Sequence, residues 1–184
     1  MPRAGLSADR VVVEAEKLAD EVGLAQFSLS TLAARLGVQP PSLYKHIAGQ
    51  DALLRTIEAR AKAELADVMR DAAVGRSGPD AVRSIAAAYR RWAKAHPGRY
   101  PATLAAPDPA DADAVAASAR AVEVLHGVLS GYGLAGDDEV DAIRTLRSGL
   151  HGFVSLEAAG GFGLPVDVDR SYERLVDALL DALG

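Results

Sequence analysis

The densest chemistry in the chain lies within five consecutive positions, where the run SLYKH places Ser42, Tyr44, Lys45 and His46. These side chains offer a hydroxyl, a phenol, an ammonium and an imidazole, a set suited to phosphate oxygens and to the polar edges of bases. Little elsewhere adds reactive chemistry. There is no cysteine, which excludes a disulfide framework, a thiolate zinc site and a cysteine nucleophile. No G-x-S-x-G elbow, Walker loop or H-E-x-x-H run occurs, and Gly160-Gly161-Phe162-Gly163 lacks the preceding strand that a phosphate loop requires. His126 and His151 have no i, i+4 partner of the kind that holds a metal. The expectation is a binding protein with no cofactor, and not an enzyme.

A short polar run binds a duplex only if something presents it. The segment Ser28 to Leu54, SLSTLAARLGVQPPSLYKHIAGQDALL, carries the signals of two short helices crossing through a tight turn. Such a turn spans three or four residues and needs a small residue at the crossing. Ala33 is that residue. Gly37 supplies the positive φ that ends the first helix without a Cβ penalty. Leu32, Leu36, Val38 and Leu43 are spaced to fill the core beneath. Pro40 and Pro41 preset φ in a first turn whose N–H groups have no helical partner anyway. The residue before them, Gln39, is pushed toward an extended conformation. The resulting helix is about two turns long, short enough to enter a major groove end-on.

The rest of the chain reads as helix throughout, so the fold class is all-α with about nine helices. Ser7 caps a run with Val11, Ala15, Leu18, Ala19 and Val22 at helical spacing, stopped by Gly23. A long fourth helix runs from about Gln50 to Val74, and Gly75 to Pro79 reads as a linker. Further helices are expected from Asp80 to His96, in a short piece at Tyr100 to Ala106, from Ala112 to Leu129, from Asp137 to about Ala159, and from Asp169 to Leu183. The division expected is residues 1–50 as a helix-turn-helix domain, 50–74 as a connecting helix, and 75–184 as a second domain.

Charge alone does not announce a nucleic-acid partner. The net charge is −5, although residues 1–74 hold 9 Lys/Arg against 10 Asp/Glu while the remainder is more acidic. Met1 to Arg10 has no apolar core, so no signal peptide is expected. Val124 to Gly136, the longest uncharged apolar-rich stretch, is too short and too glycine-broken to span a bilayer. A soluble cytoplasmic protein with no membrane partner is expected.

From Ser7 to Ile57 the sequence resembles the TetR family DNA-binding domain. The resemblance rests on Gly37-Val38 followed by Leu43-Tyr44-Lys45-His46-Ile47, and on Asp51-Ala52-Leu53-Leu54 opening the fourth helix. It implies that Tyr44 contacts phosphate and that Pro40, Pro41, Lys45 and His46 lie at the groove. It also exposes two departures. The lysine that usually opens the fourth helix is Gln50 here, and Ser30 or Thr31 stands where the second helix usually has a basic residue. With Ser28, Gln39 and Ser42, these complete the expected DNA-binding set. The partner implied is double-stranded DNA with a palindromic operator, bound by a homodimer whose recognition helices sit roughly 34–36 Å apart.

The second half resembles a class of TetR C-terminal domain with a Trp/His-Gly signature, through AAAYRRWAKAHPGRYP at 86–101 and Leu150-His151-Gly152. That resemblance implies a small-molecule effector. Aromatic and apolar walls with a few polar groups suit a pocket, and the candidates are Tyr89, Trp92, Tyr100, Leu104, Leu125, His126, Leu129, His151 and Phe153. The last two helices carry apolar stripes suited to pairing with a second copy. Ile143, Leu146, Leu150 and Val154 form one stripe, and Tyr172, Leu175, Val176, Leu179 and Leu183 the other. Such stripes can also pack within one chain. The alternatives are a DNA-binding protein without an effector and a helical small-molecule binder that keeps the motif as scaffold.

Overall fold

The computed structural model describes residues 6–183. Among them are seven α-helices, four short 3-10 turns and no strand. The α-helices are α1 (Ala8–Val22), α2 (Leu29–Leu36), α3 (Gln50–Ala73), α4 (Gly78–Ala95), α5 (Ala112–Leu129), α6 (Asp137–Ala158) and α7 (Val168–Asp181). The two remaining expected helices, near residues 40 and 100, are 3-10 turns at Pro40–Lys45 and Tyr100–Thr103. Segments this short gain few i→i+4 bonds, and the tighter winding is common at such lengths. Gly131-Tyr132-Gly133-Leu134-Ala135-Gly136 has the glycine spacing of a dinucleotide fingerprint. It joins α5 to α6 with no strand before it, so the context that such a loop needs is missing.

The chain divides into two compact units. One holds the described residues up to Lys62 together with His96–Ala117; the other holds Ala63–Ala95 and the described residues from Ser118 on. No single cut in the sequence separates them, because 96–117 returns to the first unit.

In the first unit Ser7 caps α1, its side chain accepting from the Arg10 N–H. Val11, Ala15, Leu18 and Ala19 on one face of α1 join Leu32 and Ala33 of α2, Leu43, and Leu53 and Ile57 of α3 in one buried cluster. Several of these are completely enclosed, including Leu32, Leu43 and Ile57. In the second unit Val82, Ile85, Ala86, Tyr89 and Trp92 form the buried face of α4. It packs with α6 through Leu146, Leu150 and Val154, and with α7 through Tyr172, Val176 and Leu179. The Tyr172 hydroxyl donates to the Ala86 carbonyl at 2.7 Å and registers α7 on α4.

Candidate nucleic-acid interface

The interface is built around one capped helix and one glycine. Ser28 takes an extended conformation, and its Oγ accepts from the Thr31 N–H at 3.1 Å while lying 2.8 Å from Thr31 Oγ1. This satisfies one of the orphan donors at the start of α2. At the other end Gly37 lies in the left-handed region, φ 69° and ψ 32°. Its N–H donates to the Ala34 carbonyl, and that of Val38 to Ala33. An L residue at 37 is strained in that conformation, so the turn direction depends on glycine.

The chain leaves this turn through extended Gln39 and winds at Pro40–Lys45. The Ser42 N–H donates to Gln39 O at 2.9 Å, and the His46 N–H to Leu43 O at 2.8 Å. Leu43 is the pin of the turn: it is 0% exposed and sits in the core cluster. Val38 and Ile47 pack beside it. With Leu43 turned in, its neighbours turn out. Tyr44 is 60% exposed, Gln39, Pro41 and Lys45 are exposed, and Pro40, Ser42 and His46 are half-buried. The turn thus holds an exposed aromatic beside a fully enclosed leucine.

The remaining positions divide by what holds them. Ser30 and Thr31 are exposed on the first turn of α2, and Ser28 is half-buried as its cap. Gln50 is half-buried, with its amide Nε2 directed at the Phe27 carbonyl, 3.5 Å away. Arg35, in the last turn of α2, is held by Glu14 and Glu21. Both carboxylates are lowered from their ordinary values, chiefly by hydrogen bonds, from Lys17 and Arg35 at Glu14 and from Arg35 at Glu21. Arg35 is therefore committed to α1, and the exposed ammonium of this surface is that of Lys45.

In the second unit the candidate pocket residues are scattered in character. Tyr89 and Trp92 on α4 and Leu129 at the end of α5 are buried, and Leu125 is half-buried. Leu125 and Leu129 border a gap with Val82, Ile85, Leu146 and Leu150 that has room for about 10 Å³, at most a single water. The His126 side chain is 65% exposed and paired with Glu139. His151 is half-buried, its Nδ1 3.1 Å from Ser155 Oγ. Phe153 packs on Phe162 and Tyr172, with ring centroids 4.6 and 5.0 Å apart. Tyr100, buried, and Leu104, half-buried, belong to the first unit. A larger groove of about 380 Å³ lies elsewhere in the second unit, lined by Arg70, Val74, Arg76, Val124, Val128 and Gly131 among others.

Of the expected pairing stripes, Leu146, Leu150, Val154, Tyr172, Val176, Leu179 and Leu183 are buried within the single chain. Ile143 and Leu175 are half-buried. Exposed apolar side chains in this part are instead Val140, Leu156, Phe162, Leu164 and Val166.

Sequence patterns passed over an ionic cluster that joins three helices of the second unit. Arg90 of α4 donates from Nε and Nη2 to the two oxygens of Glu157, both at 2.7 Å, and from Nη2 to Asp169 at 2.7 Å. Lys94 donates to Glu157 at 2.7 Å. The guanidinium carbon stands 4.8 Å from the Tyr172 ring centroid and 5.7 Å from that of Phe153, a cation–π arrangement. The Arg90 hydrogen bonds hold the Glu157 carboxyl down at about 2, with burial opposing. Burial pushes the Tyr172 phenol well up. The one sequence signal was a charged residue, Arg90, next to the apolar stripe of α4.

Comparison with known proteins meets the geometry at both ends of the chain. Residues 11–57 match the family described as bacterial regulatory proteins, tetR family. Residues 82–179 match the tetracyclin repressor-like C-terminal domain. The uncharacterized HTH-type transcriptional regulator Rv0681 of Mycobacterium tuberculosis is 34% identical, over 94% of this chain and 79% of its own. The uncharacterized HTH-type transcriptional regulator YobS of Bacillus subtilis is also 34% identical, over 99% and 95%. A variant of TetR from Acinetobacter baumannii AYE, crystallised in complex with minocycline, shares the fold at a TM-score of 0.71 and 23% identity, covering 97% of this chain and 96% of that one. With a helix-turn-helix at one end, a helical C-terminal domain at the other and regulators as relatives along nearly its whole length, the chain belongs to the TetR family of DNA-binding transcriptional regulators and is not an enzyme.

Proposed function

We propose that this regulator is a repressor that occupies a palindromic operator as a homodimer and is released by a small molecule. The observation that carries the DNA-binding part is the pairing of fully buried Leu43 with 60%-exposed Tyr44 on one short turn. A rigid pin and a projecting aromatic at adjacent positions present Tyr44, Lys45 and His46 to a groove with the backbone already ordered, so the remaining cost is that of fixing the side chains. In this reading Tyr44 and Lys45 meet phosphates. Ser42, His46, Gln39 and the two prolines lie along base edges, and the capped start of α2 with Ser28, Ser30 and Thr31 faces the backbone. Gln50 contributes little directly, because its amide is turned toward Phe27.

In this reading residues 1–50 bind DNA, 50–74 connect, and 75–184 bind effector and partner, apart from 96–117, which pack in the first unit. Effector control is supported by the minocycline complex of the structurally similar Acinetobacter protein and by apolar walls in the second unit. The gap beside Leu125 and Leu129 is closed here. A ligand that opens it, and that reaches Tyr89, Trp92, His151 and Phe153 of the same unit, selects a different conformer by its differential affinity. The dimer reading rests on α6 and α7, through half-buried Ile143 and Leu175 and the exposed apolar residues Val140 and Leu156. Among the described residues no helix is long and apolar enough to cross a membrane, in keeping with work on DNA in the cytoplasm.

The experiment is selection of bound duplexes from a random library with the full chain. Enrichment of an inverted repeat is expected, with Tyr44→Ala and His46→Ala weakening its binding without unfolding the protein. A library that enriches nothing above background overturns the proposal.

A further inference from the structure

The first unit contains a piece of chain that sequence order assigns to the other half. Residues 96–105 follow directly from the end of α4 at Ala95, yet they pack into the unit that carries the helix-turn-helix. Their attachment to α1 is unusually specific. Asp20 of α1 accepts the Arg99 backbone N–H at 2.9 Å and the Arg99 Nε at 2.8 Å. His96 Nδ1 lies 3.0 Å from the same carboxylate. Arg99 Nη1 stands 3.8 Å from Glu16, which Arg60 of α3 also reaches at 2.9 Å. Between these groups Gly98 is pressed onto the α1 backbone: a Cβ there would fall 1.7 Å from the Ala19 carbonyl oxygen. The far end of the segment is fastened to α3, where Lys62 Nζ donates to the Ala105 carbonyl at 2.9 Å and to Glu58 at 2.6 Å.

The charged side chains found buried among the described residues are Glu16 (8% exposed), Lys62 (4%) and Arg99 (6%), and all three belong to this attachment. Apolar contacts hold two helices together as well as buried ion pairs do, and at lower desolvation cost. Directional bonds do what apolar contacts do not, which is to fix one register among several of similar area. Here that register matters. The opposite face of α1 carries Val11, Ala15 and Leu18, which share the core with Leu43 beneath the Pro40–Lys45 turn.

We infer that residues 96–105 form a clasp that sets α1 against α3 and thereby the attitude of the recognition turn, making Asp20, Gly98, Arg99 and Lys62 positioning residues for DNA binding. This deepens the operator-binding reading and rests on it. The clasp begins one peptide bond after α4.

The test uses the full chain and the duplex that the wild type itself selects. Affinity is measured well below the lowest melting temperature of the set, so that every variant is folded. Asp20→Asn and Gly98→Ala each weaken binding about tenfold, with the slope of log affinity against log salt unchanged, because no phosphate contact is removed. Lys62→Met weakens binding similarly, and Lys62→Arg, which keeps a donor for Ala105, restores most of it. Should Gly98→Ala not fold, Asp20→Asn and the Lys62 pair decide. Variants that melt lower yet bind as the wild type does overturn the clasp and leave operator binding standing. A wild type that selects no duplex overturns both.

Discussion

Replacing Glu157 with glutamine tests the ionic cluster of the second unit most directly. Glu157 receives two hydrogen bonds from Arg90 and one from Lys94, and its side chain is only 15% exposed. Its carboxyl is held at about 2, against an ordinary 4.5, first by the Arg90 hydrogen bonds and then by Lys94. At roughly 1.4 kcal/mol per unit that shift sets a ceiling of about 3 kcal/mol. Solvent at the 54%-exposed Lys94 screens part of it, leaving about 2 kcal/mol as the working figure. Because the folded carboxyl titrates lower than the unfolded one, this stability is fully present above pH 4.5 and fades as the pH falls toward 2. Glu157→Gln preserves shape but leaves Arg90 with Asp169, whose side chain is 77% exposed, as its acidic partner. A loss of about 2 kcal/mol at neutral pH lowers the melting temperature of a domain this size by roughly 4–8 °C. The assay is urea unfolding at neutral pH and again near pH 3. The wild type should lose stability between the two, and the gap between wild type and variant should narrow. A variant that unfolds at the wild-type urea midpoint at neutral pH, or that keeps the full acid sensitivity of the wild type, refutes the assignment.

Three further outcomes are expected. Lys45→Ala should reduce the salt slope of operator binding by about one unit, and a slope unchanged within error would remove Lys45 from the phosphate contacts. Leu43→Ala empties a fully enclosed site, and should cost about 2–5 kcal/mol in chemical denaturation while abolishing operator binding at temperatures where α1 has loosened. Gly37→Ala places a Cβ at φ 69° and should cost about 1–2 kcal/mol; a melting curve that matches the wild type would show that the turn does not need glycine.

What was legible in the sequence was what has a period or a fixed local chemistry. Ser28, Gly37 and the proline pair act within four residues of themselves, Leu32 and Leu36 are one helical turn apart, and Val38 and Leu43 are the apolar residues of the segment that follows. Their places in the fold follow from those facts. The winding of Pro40–Lys45 as a 3-10 turn was not legible, because length and not composition chooses between the two helices at six residues. The ionic attachments were hidden for another reason. Asp20 and Arg99 are 79 positions apart and Arg90 and Glu157 are 67 apart, and a charge carries no mark of the partner it will meet. The apolar stripes of α6 and α7 were visible, but a stripe does not say what covers it. Leu146, Leu150 and Val176 are already covered within their own chain.

The boundary between the two units falls at three places, after Lys62, Ala95 and Ala117, and the first and last of these lie inside α3 and α5. No protease-sensitive hinge separates a headpiece from a body at those two points, and no one recombination event in the gene transplants the headpiece. An engineer who grafts this reading head onto a foreign sensor must therefore carry 96–117 along with the N-terminal residues. A chimera joined once, in the middle of α3, would leave Asp20 and Lys62 facing a surface that was never selected to receive them.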